Sequence, residues 1–351
     1  MSRKSVPVVE GVFQAGGILQ YAVSDSGTLV YMPSIAGAAT SSRRTLVWVD
    51  RNGKEEPIAA SPDDYRFARI SPDGTKVALA LYSGDRSDIW IWDLIREIPI
   101  RLTSNEVSSA PLWTPDGRRI IFASDVLDKT SVRWKAANAT GADEKLFSVQ
   151  DRGFVPLPSS WSVDGKIQIL TVFSLTGGTG LDIGALSMEG DRKLTPLLRE
   201  KYNEAMPDIS PDGRWMAYVS DVSGQLEVYI RPFPDVNKEL YRVSTIGGDS
   251  PLWSPDGREL FYRSGDSAMT VALRTEPTLK LGKPEVLFRG NYVSLLLSLP
   301  LLSWDISPDC RRFVMMKPPA PTGAASAEAS PRKINVVVNW TDELRQRVPV
   351  R

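Results

Sequence analysis

Six aspartates recur at regular spacing and are of a type that can do chemistry: Asp73, Asp116, Asp164, Asp212, Asp256 and Asp309. Carboxylates gathered by a fold can bind a metal ion or work as a paired acid and base. Their surroundings favour another interpretation, because three stand in Ser-Pro-Asp-Gly, as at Ser210, and the other three in close variants of it. Proline sets the first corner of a turn, aspartate bonds to the turn backbone, and glycine takes the left-handed conformation. We therefore interpret these aspartates as structural turn residues, together with Gly74, Gly117, Gly165, Gly213 and Gly257.

The histidine and cysteine content of the chain limits the catalytic and metal sites that it can form. The 351-residue chain has no histidine, which removes Ser-His-Asp and Cys-His arrangements and imidazole metal sites. Its single cysteine, Cys310, cannot form an intramolecular disulfide and replaces the glycine of the last turn. We expect Cys310 to be a tolerated variation and not a nucleophile. The acidic loops lack the ordered ligand spacing of a calcium loop, so no metal or cofactor is expected.

Charge and hydropathy limit the partners. Lys and Arg number 42, as do Asp and Glu, so the formal net charge is zero and binding to nucleic acid is not expected. No apolar run reaches the roughly 18 residues of a membrane-spanning helix, and the start of the chain lacks the apolar region of a signal peptide. The sequence therefore predicts a soluble, monomeric protein without direct membrane insertion, and it leaves the compartment open.

The turn recurs seven times, and the repeat indicates the fold. Copies begin at Ser24, Ser71, Thr114, Ser162, Ser210, Ser254 and Ser307, at steps of 43 to 53 residues. A period of about 40 to 50 residues is typical of four-stranded propeller blades. An apolar stretch precedes each copy and a strand-length run follows it, as in PLWSPDG followed by RELFYRSG. A third and a fourth strand follow, as in DIWIWDL and IRLT.

The sequence thus predicts an all-β propeller of seven four-stranded blades, with six as the alternative. We expect a single domain over residues 1–351, closed by an N-terminal strand near residues 7–12 beside a strand at residues 334–340. Residues 318–331, rich in Pro, Ala and Ser, are expected to form a flexible loop within the last blade, and residues 341–351 a C-terminal tail.

The repeat unit resembles the WD-repeat-like, TolB-type β-propeller repeat over essentially the whole chain. Two phrases, TLVWVDRNGKEEPI at Thr45 and INVVVNWTDEL near the end, resemble the propeller region that follows the kinase domain in bacterial serine/threonine protein kinases. That resemblance implies a sensing or protein-interaction module, periplasmic if its kinase is anchored in the membrane and cytoplasmic otherwise. The kinase motifs themselves, a Gly-rich loop, HRD and DFG, are absent from the sequence.

We therefore expect a non-catalytic module that binds a protein or peptide. A TolB-like envelope scaffold that docks other proteins is the alternative. A hydrolase using carboxylates in the channel is disfavoured, because histidine and a Gly-x-Ser-x-Gly elbow are both missing.

The working surface is expected on the face opposite the turns, where loops between blades converge on the channel. The candidate binding residues in these loops are Tyr65, Arg66, Glu106, Arg152, Glu204, Asp249 and Tyr292. Trp113, Trp161 and Trp253, which precede turns, are interpreted as core between blades.

Overall fold

The computed structural model describes residues 9, 12, 14–15, 18–19, 21–33, 43–84, 86–104, 107–126, 129–149, 153–174, 180–276, 278–294, 302–319, 334–341 and 344. Contacts divide the chain into a large unit, Ser42–Leu296 with Pro300–Pro319, and a small unit, Met1–Ser41 with Leu297–Leu299 and Ala320–Arg351. The described elements are strands, so the prediction of an all-β protein is confirmed. No helix in these ranges has the length and apolar character needed to cross a bilayer.

Short strands succeed one another along the described part of the chain. The first fourteen are β1 (Gln14–Ala15), β2 (Ile18–Leu19), β3 (Tyr21–Val23), β4 (Leu29–Tyr31), β5 (Thr45–Asp50), β6 (Glu55–Pro57), β7 (Tyr65–Ile70), β8 (Lys76–Ser83), β9 (Arg86–Asp93), β10 (Ile98–Arg101), β11 (Val107–Trp113), β12 (Arg119–Val126), β13 (Lys129–Ala136) and β14 (Glu144–Ser148). The others are β15 (Phe154–Trp161), β16 (Ile167–Ser174), β17 (Leu181–Ser187), β18 (Leu194–Leu198), β19 (Glu204–Ile209), β20 (Trp215–Ser220), β21 (Glu227–Pro232), β22 (Tyr241–Arg242), β23 (Asp249–Trp253), β24 (Glu259–Ser264), β25 (Ser267–Arg274), β26 (Lys280–Leu281), β27 (Glu285–Arg289), β28 (Asp305–Ile306), β29 (Arg312–Lys317) and β30 (Asn335–Val337).

The strands of the large unit pair in antiparallel groups that follow the repeat. The groups β7–β10, β11–β14, β15–β18 and β19–β22 each run in chain order, and β23, β24, β25 and β27 do the same. A single parallel bridge, Val107 to Ser87, joins the first two groups into one eight-stranded sheet. The last group combines both ends of the unit, in the order β28, β29, β5, β6.

In this last group β29 pairs with β5, whereas the sequence suggested a strand at residues 7–12. The register runs from Arg312 opposite Asp50 to Lys317 opposite Thr45. The physical reason is that β5 is apolar on both faces, with Leu46 and Val49 fully buried. The strand expected at residues 334–340 contains β30, which pairs with β4. Most of residues 7–12 lie outside the described residues.

The small unit contains one of the seven turns. The turn at Ser24 joins β3 to β4, and β30 adds to β4 with Val336 opposite Val30. Gly27 in this turn has a φ of 79°, and its carbonyl accepts a 2.7 Å hydrogen bond from the Trp340 amide. The other six turns lie in the large unit. Residues 320–331 of the expected flexible loop, and most of the expected tail, fall outside the described residues.

Each turn of the large unit is held by one repeated set of hydrogen bonds. In the turn at Ser210, the serine hydroxyl donates to Asp212 at 2.6 Å and accepts from the Trp215 amide at 2.9 Å. The Asp212 carboxylate also accepts from the Arg214 amide, and Gly213 has a φ of 72°. In the turn at Ser71, the hydrogen bond from the Ser71 hydroxyl is the main cause that lowers the pKa of Asp73 to about 2. The turn carboxylates are therefore engaged locally.

Cys310 departs from the pattern, because it adopts the glycine conformation with a φ of 59°. A left-handed non-glycine residue costs on the order of 1 kcal/mol. We predict that Cys310→Gly raises the free energy of unfolding by about that amount in urea denaturation, reduced by any packing that the thiol supplies. The reverse change, Gly257→Cys, should destabilise the protein by a similar amount. The added Cβ would lie 3.8 Å from Pro211 Cδ, an ordinary contact, so the left-handed conformation is the main cost. Equal stability of the wild type and both variants would contradict this account.

Tryptophans join neighbouring groups, as their places before the turns suggested. The indole nitrogens of Trp113 and Trp253 donate to the carbonyls of Arg69 and Asp208 at 2.9 and 3.1 Å. Trp304 is fully buried, stacks on Phe313 with ring centroids 5.2 Å apart, and donates to the Ser250 carbonyl. The core thus lies between adjacent sheets.

Candidate functional site

A bulge recurs in the first strand of several groups, four residues before the turn. Phe67, Ala110, Met206 and Ser250 all have φ between 53° and 58°. Strand register shifts at each of these bulges. Bulges re-aim the side chains that follow them. Phe67, Ala110 and Met206 surround a narrow cavity of about 20 Å³ next to Arg69.

A larger cavity of about 330 Å³ opens beside the turns, and we call it the turn-end cavity. It is lined by turn prolines and by residues that stand two positions before a turn. The prolines are Pro72, Pro115, Pro211, Pro255 and Pro308, and the preceding positions are Arg69, Leu112, Asp208, Leu252 and Asp305. Three of these equivalent positions thus place charges in a wall that is otherwise mostly apolar.

Both carboxylates of the cavity also tie neighbouring strands together. Asp208 accepts hydrogen bonds from the Trp253 amide at 2.9 Å and the Ser160 hydroxyl at 3.1 Å. Asp305 accepts from the Ile70 amide at 2.8 Å. Each carboxylate still has lone pairs beyond these bonds, because it can accept about four.

Arg69 is the cation of the site. Its Nη2 donates to the Ser159 carbonyl at 3.0 Å, whereas its Nη1 lies 4.0 Å from an oxygen of Asp305. That Nη1 is buried without a hydrogen-bond partner among the described residues. The Arg69 charge acts on both carboxylates of the cavity, and its contact with Asp305 is loose.

Burial of these carboxylates changes their acidity. Burial raises the pKa of Asp208 to about 6, against the opposing effects of the Trp253 amide and the Arg69 charge. Burial also raises the pKa of Asp305, and Arg69 again opposes it. The site therefore carries more negative charge than it can balance, which favours a proton or an incoming cation. Across the described ranges, no group of three or more His, Cys, Asp or Glu residues is placed to hold a metal ion.

The residues predicted from sequence lie elsewhere. Tyr65, Glu204 and Asp249 each begin the first strand of a group, at the end away from the turn. Arg66 forms an ion pair with Asp64, and its guanidinium carbon lies 3.8 Å from the ring centroid of Tyr82. Glu106 and Arg152 fall outside the described residues.

The structure links only some of these residues. Asp249 lies opposite Arg263 in the register of β23 and β24, and the Arg263 guanidinium is 5.8 Å from the ring centroid of Tyr292. The Tyr292 hydroxyl donates to Glu55 at 2.7 Å. Glu204 belongs to a different charged cluster, with Glu200 nearby. A binding role for this face stays a prediction.

Sequence reasoning missed Arg69, Asp208 and Asp305, although a signal was present. When the repeats are aligned on the turn, each stands two residues before it, in FARISPDG, MPDISPDG and SWDISPDC. A charged residue inside a short apolar strand is unusual, because burying a charge is costly. The charged positions two residues before the turn thus form a second repeated feature beside the turn aspartates.

Comparison with known proteins supports the fold. No protein-family model matches the chain. An uncharacterized peptidase of Bacillus subtilis, YuxL, is 26% identical over 208 residues, which cover 46% of this chain and 31% of that protein. The Tol-Pal system protein TolB of Francisella tularensis is 29% identical over 194 residues, covering 53% of this chain and 43% of TolB. The chain thus matches less than half the length of either relative.

A solved structure extends the likeness over more of the chain. A TolB-like protein from Agrobacterium tumefaciens matches with a TM-score of 0.61 at 18% identity, over 78% of this chain and 98% of that one. Neither these relatives nor this structure bears on the kinase resemblance, which stays a prediction. At such identity the likeness shows the fold alone, and on this basis the chain has a TolB-like β-propeller fold.

Proposed function

We propose that the large unit is a six-bladed propeller that binds a partner protein without catalysis. In this proposal the turn-end cavity receives a lysine or arginine side chain of the partner. The observation that carries the proposal is the placement of Asp208 and Asp305, two carboxylates with raised pKa values that share the single guanidinium of Arg69.

Contacts between first strands support six blades. Each first strand is bonded to the preceding one, through Trp113 to Arg69, Trp161 to Trp113, Ile209 to Ser160, Trp253 to Asp208 and Trp304 to Ser250. The bond from the Ile70 amide to Asp305 then leads from the first group back to the last. These contacts link six groups of strands in sequence. The seventh turn, at Ser24, belongs to the small unit and is not part of this series of contacts.

The chemistry of the cavity favours a cationic side chain. An ammonium or guanidinium group between Asp208 and Asp305 would supply the second positive charge that the site lacks. The proline rim is rigid, so little side-chain entropy would be lost when a partner is bound. The size of the cavity, about 330 Å³, suits one long side chain and not a folded element.

A catalytic role for the same carboxylates is the second candidate, because two acidic groups with raised pKa values are a known arrangement for acid and base chemistry. Binding is favoured, because hydrogen bonds from backbone amides tie Asp208 and Asp305 to neighbouring strands. The relative YuxL, an uncharacterized peptidase, is the reason to test for an enzymatic activity. Hydrolysis of a peptide or glycoside panel that Asp208→Asn abolishes would favour the second candidate.

The two resemblances suggest two settings in which this binding module would act. The TolB relative fits a scaffold that docks other proteins, and the kinase resemblance fits a sensing region of a longer chain. Both contexts use the same binding chemistry, so the cavity can be tested before either is chosen.

The test is a peptide array probed with the full chain. Peptides containing lysine or arginine should be retained, and substitution by norleucine or citrulline should weaken binding about tenfold or more, since a desolvated charge pair is lost. Asp208→Asn combined with Asp305→Asn should remove this preference. The matched control is Asp235→Asn, an exposed aspartate that is paired with Lys238 and does not line the cavity. Retention of basic peptides by the double variant, folded as judged by its thermal melt, would contradict the proposal.

A further inference from the structure

A cavity of about 380 Å³ lies between β14 and the neighbouring sheet β15–β18, and we call it the side cavity. Its walls are mostly apolar and include Phe147, Phe154, Val172, Leu194 and Pro196. Ligand sites are commonly concave and apolar with a few polar groups that orient the ligand, and volumes of about 300 to 1,000 Å³ are typical. The side cavity therefore suits the apolar body of a small molecule.

An open groove of about 490 Å³ adjoins the side cavity, and we call it the edge groove. It follows β14, which is the last strand of its sheet. Phe147, Ser148 and Leu194 line both spaces, so the groove continues directly from the cavity. The Ser148 hydroxyl at this junction can donate a hydrogen bond to a polar group of a ligand. One ligand can therefore occupy both spaces.

The charges that line the side cavity itself, Asp182 and Arg199, already have partners. Their closest atoms are 3.6 Å apart, and Asp182 makes a further interaction besides this one. Taking a partner from a carboxylate that is largely buried would be costly. An apolar ligand body can pack beside this pair and leave it intact.

The edge groove has an excess of positive charge. Its lining contains Lys145, Arg192 and Lys193, against Asp191 alone. Arg192 is paired with Glu144 at 2.9 Å, so the two lysines and Asp191 leave one unbalanced positive charge. Both lysines are exposed, and neither has a charged partner among the residues that the structure describes. Their ammonium groups are therefore free to meet an anionic group of a ligand.

We propose that the side cavity and the edge groove together bind a small molecule that has an apolar body and a carboxylate. The body packs against Phe147, Phe154 and Leu194, and the carboxylate accepts hydrogen bonds from Lys145 and Lys193. An ammonium group in place of the carboxylate would meet like charge and be disfavoured. The turn-end cavity shares no lining residue with either space, so this proposal and the proposed function stand or fall separately.

The experiment compares three probes of similar shape, 4-phenylbutyrate, 4-phenylbutanol and 4-phenylbutylamine, by isothermal titration calorimetry with the full chain at pH 7.5 and low ionic strength. The acid should bind about fivefold more tightly than the alcohol, a gain of the size expected for exposed ion pairs. The amine should bind most weakly. Raising the salt to about 0.5 M should bring the acid close to the affinity of the alcohol, because salt screens exposed charges.

Charge variants test which residues receive the carboxylate. Lys145→Gln combined with Lys193→Gln should reduce the acid to the affinity of the alcohol. Asp191→Asn should strengthen binding of the acid and leave the alcohol unchanged, because it removes the opposing charge of the groove. The matched control is Lys280→Gln combined with Lys283→Gln, which changes two exposed lysines that line neither space and should leave all affinities unchanged.

A steric variant tests where the apolar body lies. Thr195 lines the side cavity on an exposed part of β18, so Thr195→Trp should fill the cavity and weaken both acid and alcohol in a protein that is folded as judged by its thermal melt. Equal affinities of acid and alcohol for the wild type, or an acid preference that survives the double lysine variant, would overturn the proposal. Failure of all three probes to bind the folded wild type would overturn it as well.

Discussion

Replacing Val49 by aspartate is expected to abolish cooperative unfolding of the large unit. Val49 is fully buried in β5 and packs in the cluster that contains Phe313 and Met315. An unpaired carboxylate there loses its hydration without gaining a partner, in addition to the lost valine packing. The expected cost, about 4 kcal/mol or more, is a large part of the total stability of a typical domain. Urea denaturation followed by far-UV circular dichroism measures it.

The matched control is Val23→Asp in β3, where valine is 51% exposed. Exposed substitutions usually change stability by about 0.5 kcal/mol or less. The pair of variants distinguishes which N-terminal strand the large unit needs for stability, since β3 belongs to the small unit and β5 pairs with β29 in the large unit. If Val49→Asp unfolds at the same urea concentration as Val23→Asp, the large unit does not depend on β5.

The strand pattern was predictable because its signals are local. The turn residues and the apolar runs beside them act within one repeat, and the repeat recurs at nearly constant spacing, so strand order within a group follows from the sequence. The strand that pairs with β29 was not predictable in this way, because several segments near the N-terminus have a similar apolar pattern. The choice of β5 depends on packing of Leu46 and Val49 against β29, which no local signal encodes.

The turn-end cavity was also only partly predictable from the sequence. The position of Asp305 two residues before its turn is visible in the sequence, but its proximity to Arg69 is not, since 236 positions separate them and only the tertiary fold brings them within 4.0 Å. The bulge at Phe67 was also unforeseen, because a left-handed phenylalanine has no sequence signature. The turn-end cavity could not be predicted because it depends on contacts between residues that are distant in the sequence, although the residue types themselves were visible.

Binding of a basic peptide at the turn-end cavity is expected to weaken about tenfold between pH 7 and pH 5. The pKa of Asp208 is about 6 in the folded protein, so the carboxylate takes up a proton across this range and loses its attraction for a cation. Arginine in the peptide does not titrate here, so the change belongs to the protein. Fluorescence anisotropy with an arginine peptide of constant charge measures it. Because Glu204 titrates near pH 7, Glu204→Gln should be compared and should leave the pH dependence intact.

The unliganded protein should respond to pH in the opposite direction. Burial raises the pKa of Asp208 above its ordinary value of 3.8, so the folded state holds the proton more tightly than the unfolded state does. Its contribution to stability is therefore present at low pH and is lost as pH rises from about 4 through about 6. Asp208→Asn should remove that part of the pH dependence from the free energy of unfolding, and it should remove the pH dependence of peptide binding too. A carboxylate that served only to tie strands would affect stability alone, so the loss of both dependences in one variant would show that the group that destabilises the empty site at neutral pH also attracts the cation.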